Sequence, residues 1–274
     1  MSGVVVDDLR WEVRARGAGP PLLVLHGFMG RGSSWGGHAS AFARHFRLVV
    51  VDLPGHGRSG IPIDPARASV ERTADDLATI LAREGWTPAH VLGYSLGARI
   101  ALRLAAAYPE ALRRLVVESP SAGLATAAER RARRAADDAR ATRLERDGMT
   151  AFVDKWEREP VFASQAGLPS AHAARLRSER LRNRPAGVAT SLRGAGQGSM
   201  EPLQERLAGI KARTLVIAGA LDPTGRARAE AVAARIPGAR LEIVAGAGHA
   251  PHLETPTIFR SLSLAFLKEE DSAA

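Results

Sequence analysis

The feature that most constrains the fold is a series of short, unbroken apolar runs, each stopped by glycine, proline or a polar residue. Leu22–His26 follows Pro20 and Pro21 and ends at Gly27, and Leu48–Asp52 is closed by Pro54 and Gly55. Ala89–Gly93, Leu115–Val117, Thr214–Ala218 and Leu241–Val244 have the same character. Runs of this length without polar alternation suit strands that are buried on both faces. Between them lie stretches with helical spacing: Ala68–Arg83, with Val70, Leu77, Ile80 and Leu81 on one face, then Leu96–Ala107 and Arg226–Arg235. Thr255-Pro256 opens a final helix, proline suiting its first turn. Such alternation predicts an α/β fold, a mostly parallel twisted sheet covered by helices on both faces. Val4–Val6 and Trp11–Val13 read as two further short strands around a turn, and Glu269–Ala274 as a frayed tail.

The rhythm breaks once. From about Ala122 to Ser199 no strand is legible, and the segment is helical and crowded with arginine. We therefore expect residues 1–122 and 201–274 to form the core, with 123–200 inserted as a helical cap. The same segment carries most of the excess charge. The 274 residues hold 38 basic and 29 acidic side chains, a formal net charge of +9. Thr126–Met200 alone holds fifteen Lys and Arg against nine Asp and Glu. A basic chain can bind nucleic acid, an acidic membrane surface or small anions. No nucleic-acid-binding motif is present, and only 5% of the residues are aromatic, few for base stacking. The absence of cysteine excludes disulfides, thiolate metal sites and a cysteine nucleophile. No metal-ligand pattern stands out, and no cofactor is expected. No window approaches the roughly 18 consecutive apolar residues of a membrane span. Met1–Arg10 lacks the basic segment and apolar run of a signal peptide, so a cytoplasmic location is expected.

Two stretches match G-x-S-x-G, and their contexts differ. Gly93-Tyr94-Ser95-Leu96-Gly97 lies between an apolar strand and an apolar helix, the strand–turn–helix of a nucleophile elbow. Gly32-Ser33-Ser34-Trp35-Gly36 has no strand directly before it, and Ser34 reads as a chance match. A serine needs a base, and the base needs an orienting acid. Asp222 falls just past the Thr214–Ala218 strand and His249 just past Leu241–Val244, which gives Ser95, Asp222 and His249 in the order such a fold uses. His252 is a rival base only three residues on, and is expected to be structural. His26-Gly27-Phe28-Met29-Gly30 follows the first long strand. It nominates the amide of Phe28, with that of Leu96, for an oxyanion hole; the alternative is an ordinary glycine turn. Gly55-His56-Gly57-Arg58-Ser59-Gly60 matches a dinucleotide-binding fingerprint, but Ile61-Pro62-Ile63-Asp64-Pro65 stands where the phosphate-binding helix would begin. We read it as a loop.

With Leu25-His26-Gly27-Phe28, Asp52-Leu53-Pro54-Gly55-His56-Gly57-Arg58-Ser59, the elbow and Gly246-Ala247-Gly248-His249, the chain resembles the α/β-hydrolase superfamily over essentially its whole length. Within it, Ala98-Arg99 after the elbow, Glu118-Ser119-Pro120, Trp156 with Pro160-Val161-Phe162-Ala163-Ser164, and Ser191-Leu192-Arg193-Gly194-Ala195-Gly196 resemble the synthases of 2-succinyl-6-hydroxy-2,4-cyclohexadiene-1-carboxylate (SHCHC) in menaquinone biosynthesis. The resemblance implies proton abstraction from a cyclohexene ring and elimination of pyruvate, with Ser95 as base and no obligatory acyl intermediate. It also implies a small substrate with several carboxylates, which arginine grips well. By position, Arg99, Arg133 and Arg182 match substrate-binding arginines, and Tyr94 and Trp156 match aromatic residues of the pocket. Arg133 and Arg182 have close arginine neighbours (Arg131, Arg134, Arg180, Arg184), so each alternative register, or a solvated helix face, stays open. Ala98 stands where glycine is usual, and Ala195 and Gln197 also depart from the pattern. On this reading the basic surplus draws in an anionic small molecule and not nucleic acid. A serine carboxylesterase or C–C bond hydrolase using Ser95 as nucleophile is the alternative.

Overall fold

The computed structural model describes residues 3–270; the end of the expected frayed tail, 271–274, lies outside them. Eight strands form one sheet: β1 (Val4–Val6), β2 (Leu9–Arg16), β3 (Pro21–Leu25), β4 (Arg47–Asp52), β5 (Ala89–Tyr94), β6 (Leu112–Glu118), β7 (Arg213–Gly219) and β8 (Arg240–Val244). Their spatial order is β1-β2-β4-β3-β5-β6-β7-β8. β1 and β2 form the antiparallel edge, and β4, β3, β5, β6, β7 and β8 run parallel. The helices of the core are α1 (Gly36–Phe42), α2 (Val70–Arg83), α3 (Leu96–Ala107), α7 (Pro223–Ala233), α8 (Pro251–Glu254) and α9 (Pro256–Leu267).

Side chains alternate along each strand, so every apolar run serves two faces of the sheet. Leu23, Leu25, Val49, Val91, Val117 and Val216 pack with Leu77, Ile80, Ile100 and Leu104 of α2 and α3. Their neighbours Leu22, Val24, Leu48, Leu92, Val116, Leu215 and Ile217 pack with Phe42, Phe259 and Phe266 of α1 and α9. This two-sided burial is why the strands read as continuous apolar runs. The expected helix over 68–83 is shorter in the structure: Ser69 ends a single turn, and its side chain accepts from the Arg72 amide to start α2 at Val70. The short helix α1 has no counterpart in the sequence reading. It opens on Gly36-Gly37, the poorest non-proline helix formers, and is held by the packing of Phe42 rather than by propensity.

The segment between β6 and β7 contains no strand and three helices, α4 (Ala127–Trp156), α5 (Ser170–Leu181) and α6 (Pro185–Ala195). α4 is broken at Gly148, whose φ of 81° is left-handed. The helices share a small apolar cluster, Ala141, Leu144, Met149, Val153, Val188, Ala189 and Leu192, and Met29 from the loop after β3 belongs to it. α6 also runs across the Gly55–Gly60 loop. A Cβ on Gly55, at φ 78°, would strike the carbonyl of Gly187. Of the glycines in the apparent dinucleotide fingerprint, Gly55 therefore serves a loop-to-helix contact, Gly57 and Gly60 lie against Asp52 and Leu9, and no helix begins directly after them.

Candidate active site

The parallel register sets the C-terminal ends of neighbouring strands side by side, Gly93 beside Val117 and Gly219 beside Val244. Loops leaving those ends bring together residues far apart in sequence. Ser95 sits between β5 and α3 with φ 51° and ψ −103°, a strained conformation for a residue with a Cβ. The turn closes only because its flanks are glycine: a Cβ on Gly93 would meet the carbonyl of Gly97, and one on Gly97 the carbonyl of Leu25. Asp222 caps α7, accepting from the Gly225 amide at 2.8 Å. Its second carboxylate oxygen lies 2.8 Å from Nδ1 of His249, and Nε2 of His249 lies 3.2 Å from Ser95 Oγ. Burial opposes ionisation of Asp222, but the hydrogen bonds from His249 and Gly225 outweigh it and hold the carboxyl below its ordinary range. The expected serine–histidine–aspartate relay is thus assembled with hydrogen-bonding geometry throughout.

The histidine loop is held by two carboxylates that the sequence did not single out for this purpose. Glu254 accepts from the amides of Gly248 and Ala250 at 2.7 and 3.0 Å, one on each side of His249. Glu118 accepts from the amide and Nδ1 of His252 at 2.8 and 2.9 Å. His252 is therefore tied to Glu118 and not to Ser95. Ser119 Oγ donates to the carbonyl of His249 at 2.8 Å.

Leu96 opens α3, so its amide has no intrahelical acceptor. Phe28 lies in the loop after β3, where the Met29 amide is already given to Nε2 of His56 at 3.2 Å. Among the described residues the Phe28 amide donates to no protein group. Both residues line the same cavity as Ser95. His56 and His26 support this loop from within. Each gives Nδ1–H to a carbonyl (Pro54 and Gly27) and accepts an amide on Nε2 (Met29 and Leu53). Burial pushes His26 down to about 4 and His56 down to about 3, so both are neutral, as their acceptor roles require.

The cavity has a volume of about 290 Å³. Tyr94, Phe28, Trp156 and Phe162 form an aromatic wall: Trp156 meets Phe28 at 5.1 Å and Phe162 at 5.3 Å, and Phe162 reaches the His249 ring at 6.0 Å. The charged lining is six arginines (99, 133, 140, 175, 180 and 228) and three carboxylates (Asp137, Glu159 and Glu179). Arg99 is the most telling of them. It is 9% exposed, and its guanidinium donates to the Ala195 carbonyl at 2.7 Å and touches Met200 Sδ at 3.5 Å, with no carboxylate partner among the described residues. Burial, and then repulsion from Arg133, push it down to about 10. Arg133 also faces the cavity, paired with Asp137 at 2.9 Å.

Arg182 does not belong to this set. It is exposed and is not among the cavity residues. Arg180 takes that place, 8% exposed, over the Phe162 ring at 5.4 Å and bonded to Glu157 at 3.0 Å. Two residues turn a helix by about 200°, so an assignment off by two points to the opposite face. Leu176, one turn before Arg180, lines the cavity and marks that face. Arg180 was among the neighbours the sequence left open, whereas Arg140, Arg175 and Arg228 were not anticipated; the clue to Arg228 is its place in α7, close behind Asp222. Ser34 lines the cavity without approaching the relay, bonded to Glu179 at 3.0 Å.

A serine on a strained strand–helix turn, backed by histidine and aspartate from the next strand ends, defines a protein of the α/β-hydrolase class, and the family model described as alpha/beta hydrolase fold matches residues 20–256. The solved structure of MenH from S. aureus superposes with a TM-score of 0.89 at 32% identity, covering 94% of this chain and 97% of that one. The 2-succinyl-6-hydroxy-2,4-cyclohexadiene-1-carboxylate synthase of Serratia proteamaculans (strain 568) is 32% identical over 88% of this chain and 90% of its own length. A Bacillus subtilis (strain 168) protein that carries the same synthase name provisionally is 38% identical over 96% of both chains. The chain belongs to the SHCHC synthase family of the α/β-hydrolase superfamily. Among the described residues no helix is long and apolar enough to cross a membrane.

Proposed function

We propose that the protein eliminates pyruvate from 2-succinyl-5-enolpyruvyl-6-hydroxy-3-cyclohexene-1-carboxylate to give SHCHC, with Ser95 as the base. The observation that carries this reading is Arg99, a buried guanidinium with no carboxylate partner among the described residues, in the cavity that holds Ser95. A buried cation without a counter-ion is costly unless an anion arrives to complete it. A substrate with succinyl, ring and enolpyruvyl carboxylates supplies that anion, and Arg133 and Arg180 are suited to the others. Arg182 does not join them, because it is exposed and does not line the cavity.

The proton to be removed is on the ring carbon that bears the succinyl group, next to a ketone. Ser95 Oγ takes it while passing its own proton to His249 Nε2, and Asp222 steadies the imidazolium that forms. The C–H electron pair moves through the adjacent carbonyl, whose oxygen becomes negative, and the amides of Phe28 and Leu96 suit that oxyanion. The pair then moves into the ring, the existing double bond shifts, and the C–O bond to the enolpyruvyl group breaks. Pyruvate leaves as its enolate and is protonated on carbon. No acyl-enzyme forms, and no cofactor or metal is required. Helices α4–α6 act as a cap over this site. A polyanion does not cross membranes unaided, so enzyme and substrate share one compartment, and we place both in the cytoplasm.

Supplying the enolpyruvyl substrate and following pyruvate release tests the reading. The wild type is expected to release pyruvate, and Ser95→Ala to release almost none. No pyruvate from the wild type, with an acyl-enzyme burst on simple esters, would replace this reading by a serine esterase or C–C bond hydrolase.

A further inference from the structure

His252 lines the cavity, yet the elimination as described does not use it. Its position is fixed on several sides. Its Nδ1 and amide share Oε1 of Glu118, which ends β6 and is 0% exposed. Its carbonyl accepts from His38 Nε2 at 2.8 Å. Its ring stands edge-on to Tyr94 at 4.5 Å and packs on Trp35 at 5.3 Å. A carboxylate against Nδ1 places the proton of the neutral ring there, which leaves Nε2 as a lone pair. Among the described residues no protein group donates to that nitrogen. The rest of the charged lining consists of arginine donors and three carboxylates, each of which has an arginine beside it: Asp137 with Arg133, Glu159 with Arg140, and Glu179 with Arg175. In the neutral ring Nε2 is thus an acceptor without a protein partner on a cavity-lining residue, and such an acceptor suits neither a carboxylate nor a phosphate. It suits a hydroxyl.

We propose that His252, oriented by Glu118, accepts a hydrogen bond from the ring hydroxyl of the substrate and selects for its presence. The identity of that hydroxyl rests on the function proposed above, in which the 6-hydroxyl adjoins the ring carboxylate. An acceptor for one substituent and an arginine for its neighbour hold the ring at two adjacent points, which orients the C–H bond toward Ser95. A site built around such a bond discriminates against the analogue that lacks the hydroxyl.

The experiment compares binding of 2-hydroxycyclohexane-1-carboxylate, both diastereomers, with that of cyclohexanecarboxylate to the full chain by calorimetry. The wild type is expected to prefer one hydroxy acid by about 10-fold, the size of one good hydrogen bond. His252→Asn keeps a donor near Nδ1 for Glu118 but places nothing at Nε2. It is expected to melt near the wild type, to bind the deoxy acid unchanged and to lose the preference. His252→Gln, whose amide reaches the Nε2 position, is expected to recover part of it. In the wild type, the ¹⁵N signal of His252 Nε2 is expected to be that of an unprotonated nitrogen and to move with the hydroxy acid only. Equal binding of the two acids, a full preference in His252→Asn, or a protonated Nε2 would overturn the proposal. Pyruvate release is scored separately: a wild type that prefers the hydroxy acid but releases no pyruvate retains this subsite and loses the pathway reading.

Discussion

The strand-end relay and the arginines of the helices above it occupy one cavity, but they are encoded in different ways. Ser95, Asp222 and His249 each sit in a loop that leaves the C-terminal end of a parallel strand, so the sheet itself delivers them to a common edge. The arginines are distributed over α3, α4, α5 and α7, and which of them reaches the cavity depends on rotation about a helix axis. Arg99 is tied to the elbow by four residues, one helical turn, and it arrives where the sequence placed it. Arg182 is tied to nothing comparable, and Arg180 is found in its stead. The relay is set by backbone topology, whereas the arginines of the lining are set by side-chain direction.

That contrast can be broken from either side. The largest effect is expected at the relay: Ser95→Ala, and separately Asp222→Asn, should lower kcat by roughly 10³-fold or more in a pyruvate-release assay while substrate binding by calorimetry persists. A loss of binding instead of turnover would place Ser95 among the gripping residues. Next comes Arg99→Ala, expected to raise KM by on the order of 10²-fold, the cost of truncating one side of a buried charge-assisted pair. A change confined to kcat would move Arg99 into the chemistry. The sharpest comparison is smaller. Arg180→Ala should raise KM by about 10-fold, partly through lost contact with Phe162 and Glu157, and Arg182→Ala by less than about 2-fold. The reverse order would restore the position that the sequence suggested.

The smallest effect concerns the scaffold of the oxyanion loop. His26 and His56 have folded pKa values of about 4 and about 3, against an ordinary 6.5 in the unfolded chain. Between these values the unfolded state binds more protons, so stability rises with pH. The contribution is complete above about 6.5. It declines as the pH falls below that value, and is exhausted as the pH passes the folded values. The melting temperature should fall by about 5 °C or more between pH 7 and pH 5. His56→Gln should melt lower at pH 7 but shift less with acid. An unchanged pH dependence in that variant would mean that His56 is not a source of the acid sensitivity.

Much of the fold was legible because the strands are buried on both faces and therefore read as apolar runs bounded by turn residues. The strand ends were legible too, and with them the relay. What escaped depended on tertiary packing. Helix α1 starts on two glycines and is held by Phe42 against α9, which no local pattern reports. The carboxylates that fix the histidine loop, Glu118 and Glu254, act across distances of 134 and up to 6 residues; Glu118 stands out in the sequence only as part of Glu118-Ser119-Pro120, with no pointer to His252, and Glu254 does not stand out. The basic surplus of the helical segment was also coarser than the structure. Arg177 pairs with Asp154 and Glu157, and Arg193 with Asp138 and Glu145, so much of that charge is balanced on the spot. Inside the cavity the excess of arginine over carboxylate remains, six against three, and Arg99 has no carboxylate partner among the described residues.

On the proposed function, a hydrolase-like relay removes a proton from carbon and does not attack a carbonyl. The most direct measurement is pyruvate release from substrate deuterated on the ring carbon that bears the succinyl group, with Ser95 followed by mass spectrometry during turnover. Slower release from the deuterated substrate and a Ser95 that stays unmodified are expected. Equal rates from the two substrates together with an acylated Ser95 would contradict it.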